Sequence, residues 1–247
     1  MPQVRSNGID IEYESFGRDS DPLILLIMGF AAQLILWPEA LCQGLAAKGF
    51  RAVRFDNRDI GKSTHLADLA APDARALIAE VMAGKRPAVP YTLDDMADDT
   101  VGLMDALGVE RAHIVGASMG GMIAQLIAIN HPDRTKSLIS IMSTTGRRDL
   151  PAGNRETLSV LFQPPKGESR DDLIDASMLV QKALASPGFP ASEAEMRLTA
   201  ERRTDRAPFD AAGLARQSAA LIAAQPRNAL LKQVRCPTLV LHGADDR

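Results

Sequence analysis

Residues 112–128 constrain this chain most: Ala112-His113-Ile114-Val115-Gly116-Ala117-Ser118-Met119-Gly120-Gly121-Met122-Ile123-Ala124-Gln125-Leu126-Ile127-Ala128. The first six residues read as a buried strand and the last seven as helix, with Gly-x-Ser-x-Gly joining them and no loop between. A strand that turns straight into a helix at a serine brings two backbones together. The positions two before and two after must then lack a Cβ, and both are glycine. The five-residue pattern is short on its own; the strand before it and the helix after it give it weight. Ser118 is the candidate nucleophile, and such a serine needs a base, an acid and donors for an oxyanion.

The rest of the chain is read around that turn. Asn7-Gly8 is a hairpin signal, with a period-two pattern beyond it at Ile9–Glu14. Leu23–Met28 is continuously apolar, as a strand buried on both faces must be, and it ends at Gly29-Phe30. A helix is expected from Pro38 to about Lys48, stopped by Gly49, followed by a strand at Arg51–Asp56. Thr92 with Asp95 three residues on predicts the capped start of a helix ending near Leu107-Gly108. After the helix to Asn130 comes a strand at Ser137–Ser143. The alternation of strands and helices predicts a mostly parallel, doubly wound α/β sheet.

From Gly146 to about Gln225 the strand signals vanish. Helical stretches such as Asp171–Ala185 and Ala212–Ala224 stand between Pro/Gly breaks, and Pro237–His242 then returns to the sheet. The expected division is a core over 1–145, a helical cap over 146–225 inserted after the sixth strand, and the core's continuation over 226–247. Residues 147–216 hold 11 Lys/Arg against 11 Asp/Glu, so a cap without net charge gives no sign of a strongly charged substrate.

Charge and composition exclude several classes. A net charge of −3 with no basic run speaks against nucleic acid as a partner. No apolar run approaches membrane-spanning length, and the first seven residues carry no leader pattern, so no membrane and a cytoplasmic location are expected. Cys42 and Cys236 are too few for a disulfide framework or a zinc site. Gly61-Lys62-Ser63-Thr64 imitates the end of a phosphate-binding loop, but Asp56 stands where that motif needs its first glycine. Neither a cofactor nor a metal is implied, and no oligomeric state.

The chain resembles the α/β-hydrolase superfamily over nearly its whole length. The resemblance lies in Leu26-Ile27-Met28-Gly29-Phe30, Phe55-Asp56-Asn57-Arg58-Asp59-Ile60-Gly61-Lys62-Ser63, the turn at 116–120, and Leu241-His242-Gly243-Ala244-Asp245-Asp246-Arg247. Within it the chain is most similar to the esterase group that includes aclacinomycin methylesterase, with Met-Gly where His-Gly is usual. The resemblance implies a carboxylic-ester hydrolase for a small-molecule ester, a methyl ester or lactone among them, acting through an acyl-enzyme. It assigns Ser118 as nucleophile and the backbone N–H groups of Phe30 and Met119 as oxyanion donors. Asp246 is favoured over Asp245 as the triad acid.

The base is the gap. The resemblance puts a histidine after the acid, beyond one more helix and strand, and only Arg247 follows Asp246. None of the four histidines replaces it. His113 is about 16 Å back along the strand, and His131 about 20 Å along the helix. His242 belongs to the last strand, and only His65 follows a strand on the catalytic side. The expectation is a fragment lacking the last helix, the edge strand and the general-base histidine, hence crippled alone. A non-catalytic binding protein on this fold, and a cofactor-free haloperoxidase-like enzyme using the same triad, are the alternatives.

Overall fold

Asn7 and Gly8 both take positive φ, 45° and 81°, and reverse β1 (Gln3–Ser6) into the antiparallel β2 (Ile9–Phe16). This is the two-residue turn the dipeptide encodes. The computed structural model describes residues 1–147, 149–150, 153–186 and 188–246. It divides into two units: Met1–Arg148 with Ala212–His242, and Asp149–Ala211 with Gly243–Arg247.

In the first unit β3 (Leu23–Ile27) leads through a loop to α1 (Glu39–Ala47) and β4 (Arg51–Phe55). Pro38 caps α1 and Gly49, at φ 84°, follows its end. Then come α2 (Ala74–Met82), α3 (Leu93–Ala106), β5 (Ala112–Ala117), α4 (Met119–Asn130) and β6 (Thr135–Ile141). The Thr92–Asp95 capping box forms as expected. The sheet runs β1-β2-β4-β3-β5-β6 and ends on β7 (Thr238–Leu241). β2 pairs antiparallel with β1 and β4; every pair from β4 to β7 is parallel.

Every residue of β3 is buried because helices cover both faces of the sheet. Leu23, Leu25 and Ile27 point to one side and pack with Leu93 and Met96 of α3 and Ile123 and Ile127 of α4. Ile24 and Leu26 point to the other, against Trp37 and Cys42. The period-two alternation of a strand thus serves two cores at once. The parallel strands place their C-terminal ends on one edge, where the loops after β3, β4, β5 and β6 gather, as ligand sites of open α/β sheets do. Gly61–Thr64 starts no helix; the Ser63 hydroxyl donates to Asp56 O (2.6 Å) and accepts from Glu12 N (3.0 Å). It knits two strands rather than cradling phosphate.

The second unit holds α5 (Arg155–Leu161), α6 (Arg170–Leu184) and α7 (Glu193–Arg206), with a small core of Ile174, Met178 and Ala200. Ser169 and Ser192 cap α6 and α7, and Arg170 meets Asp205 through two bonds of 2.7 and 2.8 Å. α8 (Ala211–Ala223) and the short α9 (Asn228–Leu231) follow, and α8 from Ala212 onward belongs to the first unit. None of the helices formed by the described residues is long and apolar enough to cross a membrane.

Candidate active site at the β5–α4 turn

Ser118 stands between β5 and α4 with φ 55° and ψ −121°. These are the angles of the first central residue of a type II′ turn, a place glycine prefers. Ala117 before it and Met119 after it are buried, yet Ser118 is exposed. Four hydrogen bonds hold the backbone in this conformation. Ser118 N donates to Ile141 O (2.9 Å), and Ser118 O accepts from Gly121 N (2.9 Å), Met122 N (3.2 Å) and the Ser143 hydroxyl (2.8 Å). Such strain, of order 1–3 kcal/mol, persists only where surrounding structure enforces it.

The flanking glycines are there for close approach. A Cβ on Gly116 would stand 2.0 Å from Gly120 O, and one on Gly120 only 2.2 Å from Ile27 O. The second distance shows that α4 is packed directly on the end of β3. The loop leaving β3 consequently meets Ser118: a Cβ on Gly29 would stand 3.0 Å from Ser118 Cβ and 3.5 Å from its Oγ. Met119, the first residue of α4, follows Ser118 directly, and Phe30 follows Gly29, the residue of the β3 loop that approaches the hydroxyl. First-turn N–H groups of a helix carry partial positive charge and have no partner within the helix.

Behind this turn lies a buried polar layer that no local pattern announces. Asp56 is fully buried and accepts from Leu34 N (2.7 Å) and Lys62 N (2.9 Å). Asn57 Nδ2 donates to Met28 O (3.0 Å). Arg58 reaches both carboxylate oxygens of Asp99 at 2.6 Å and stacks over the Tyr91 ring, 4.8 Å from its centroid. Asp59, fully buried, is gripped by Arg216 of α8 at 2.7 and 2.8 Å. Burial, and then the nearby Asp59 charge, pushes the Tyr91 phenol well above its ordinary pKa, so it stays neutral. From α8, Gln217 accepts from Ala31 N (3.0 Å) and donates to Arg58 O (2.8 Å).

The histidines have their own partners. His113 Nδ1 is 2.8 Å from the Ser137 hydroxyl, and burial, with a smaller push from Lys136, lowers its pKa. His131 ends α4 and meets Asp98 at 3.0 Å; His65 Nε2 lies 3.2 Å from Gly61 O. His242 comes directly after β7 rather than inside it. Asp245 and Asp246 lie in the turn beyond, in the second unit, where Asp246 N donates to Gly243 O (3.2 Å). Ser118 and Gly29 are therefore brought together within the first unit, and Asp246 is described within its own.

The chain matches a family model described as the alpha/beta hydrolase fold over residues 22–247. It is 27% identical over 213 residues to rhodomycin D methylesterase DauP of Streptomyces sp. (strain C5), covering 78% of the chain and 65% of that protein. It is 30% identical over 223 residues to the putative carbamate hydrolase RutD of Caulobacter sp. (strain K31), covering 90% and 72%. The chain thus spans about two thirds of the length of these curated relatives. Among solved structures, a thermophilic esterase from Thermogutta terrifontis superposes with a TM-score of 0.68 at 25% identity, over 98% of this chain and 80% of that one. The enol-lactonase from Burkholderia xenovorans LB400 does so with 0.69 at 23% identity, over 98% and 81%. The chain belongs to the α/β-hydrolase family.

Proposed function

We propose that this chain carries the nucleophile and oxyanion site of a serine hydrolase that cleaves a carboxylic ester through an acyl-enzyme. The observation that carries the reading is Ser118 itself: an exposed hydroxyl on a strained, four-bond-pinned backbone turn, faced by Gly29. Strain kept at one exposed residue points to function.

In this mechanism Ser118 Oγ attacks the ester carbonyl, forming one C–O bond while the carbonyl π pair moves to oxygen. The Met119 and Phe30 N–H groups receive that oxyanion, fixed in advance by α4 and by the β3 loop. Collapse expels the alcohol and leaves an acyl-Ser118, which water then hydrolyses. An imidazole takes the hydroxyl proton and returns it to the leaving alcohol, with Asp246 orienting the ring. The reading assigns that imidazole role to none of the four histidines. The likeness to DauP supports an ester, and a methyl ester in particular; the 30% identity to RutD favours a carbamate as the second reading. Both are attacks on an acyl carbonyl, so the same site serves either.

The test is labelling and turnover by the full-length gene product. A fluorophosphonate should modify Ser118, and methyl and aryl esters should be hydrolysed faster than carbamates. Ser118→Ala should abolish labelling and reduce kcat at least 10³-fold, as losing a triad nucleophile does. A full-length product that neither labels nor turns over refutes the reading in favour of a binding protein on this fold.

A further inference from the structure

Two side-chain amides tie the loop that faces Ser118 to the rest of the first unit. Asn57 holds the Met28 carbonyl and Gln217 holds the Ala31 N–H, so the loop is clamped immediately before Gly29 and immediately after Phe30. Gln217 is fully buried and Asn57 nearly so, at 2% exposure. The Gln217 amide has one orientation that works. Its oxygen must face an N–H donor and its NH2 the Arg58 carbonyl, so a flip would break both bonds. Ala31, moreover, sits at φ 58°, which alanine rarely adopts, and the bond from its N–H to Gln217 helps to hold it there. Gln217 is itself anchored, since its neighbour Arg216 is locked to Asp59.

From this arrangement we infer that Gln217 is a positioning residue for catalysis: through Ala31 it fixes the direction of the Phe30 N–H against Ser118. The inference rests on the proposed ester hydrolysis, in which that N–H meets the oxyanion. Gln217 touches no reacting atom. Its effect therefore falls on the tetrahedral intermediate, where the donor direction matters, and hardly on substrate capture. Removing an oxyanion donor outright lowers kcat by about 10²–10³. Loosening one through its brace should lower it by less, about 10- to 100-fold.

The experiment compares full-length wild type with Gln217→Met, similar in length but unable to bridge. The readouts are kcat and KM for an aryl ester, and affinity for an alkylboronic acid, which forms a tetrahedral adduct on a serine. The expected result is a 10- to 100-fold fall in kcat, KM within about threefold, and boronate affinity weakened by a similar factor. A wild type that does not label at Ser118 fails the functional reading, and the inference with it. An active wild type with Gln217→Met within about twofold on both kcat and boronate affinity overturns the inference alone. Equal changes in kcat and KM without loss of boronate affinity overturn it as well. If Gln217→Met does not fold, Asn57→Ala, which releases only the Met28 side of the clamp, carries the same comparison. Failure of both variants to fold also overturns it, because the clamp is then purely structural.

Discussion

Replacing Ser118 by glycine should make the protein more stable while removing the proposed nucleophile. Ser118 combines three properties that make the outcome calculable. Its φ of 55° and ψ of −121° lie where a Cβ is strained, its side chain is exposed, and its Oγ has no hydrogen-bond partner among the described residues. Ser118→Ala deletes the hydroxyl and keeps the strain. Ser118→Gly deletes both. The strain released is about 1–3 kcal/mol, against about 0.5–1 kcal/mol for the extra freedom glycine gives the unfolded chain. Glycine should therefore exceed alanine by up to about 2.5 kcal/mol, with about 1 kcal/mol the central value. For a chain of this size about 1 kcal/mol corresponds to a Tm higher by about 2–4 °C. Urea titrations of both variants, with matching m-values, measure the difference directly. A glycine variant no more stable than the alanine one would refute the claim that the turn stores strain, and with it the observation on which the functional reading stands.

Other outcomes follow from the buried layer and from His113. Arg216→Met leaves Asp59, fully buried, without its cation and should destabilise by about 3–5 kcal/mol. Adding Asp59→Asn, which removes the charge yet still accepts from Leu66 N, should recover more than half of that in urea midpoints; a single-variant loss below about 1 kcal/mol would mean the pair acts like a surface bridge. His113, whose pKa burial depresses, binds its proton less readily folded than unfolded, so its contribution is intact above the unfolded value of about 6.5 and is lost as pH falls below it. His113→Gln should lessen the drop in stability between pH 7.5 and 5.5, and an unchanged drop would show that His113 does not drive it.

Much of the scaffold was legible because it is written in local patterns. The continuous apolar run at Leu23–Met28, the Asn7-Gly8 reversal and the Thr92–Asp95 box each encode their element within a few residues, and each formed, the strand itself spanning Leu23–Ile27. The turn at Ser118 was legible for the same reason. Other parts were not. The helix Ala74–Met82 buries only Leu77 and leaves Ile78 and Met82 exposed, and the polar Glu193–Arg206 buries only Met196 and Ala200. Arg58 and Asp59 are visible in sequence as a polar loop, but their partners are Asp99 and Arg216, 41 and 157 positions away. A single glutamine in a helix of alanines carries no pattern either; what distinguishes Gln217 is its two bonds to the β3 and β4 loops, both to residues more than 150 positions away.

The Asp59–Arg216 pair has a consequence for the order in which the protein is made. A ribosome releases Ser118, Gly29 and the β4 loop long before α8, because the 149–211 segment is synthesised in between. Until then a fully buried carboxylate and the Ala31 amide wait for partners not yet translated. Contacts of such long sequence separation form late, since the intervening chain must first be closed into a loop. The surroundings of Ser118 are thus finished from the far side of the 149–211 segment. A nascent chain arrested before residue 216 should hold its sheet strands while exposing the β3 and β4 loops to protease, and release beyond α8 should protect them.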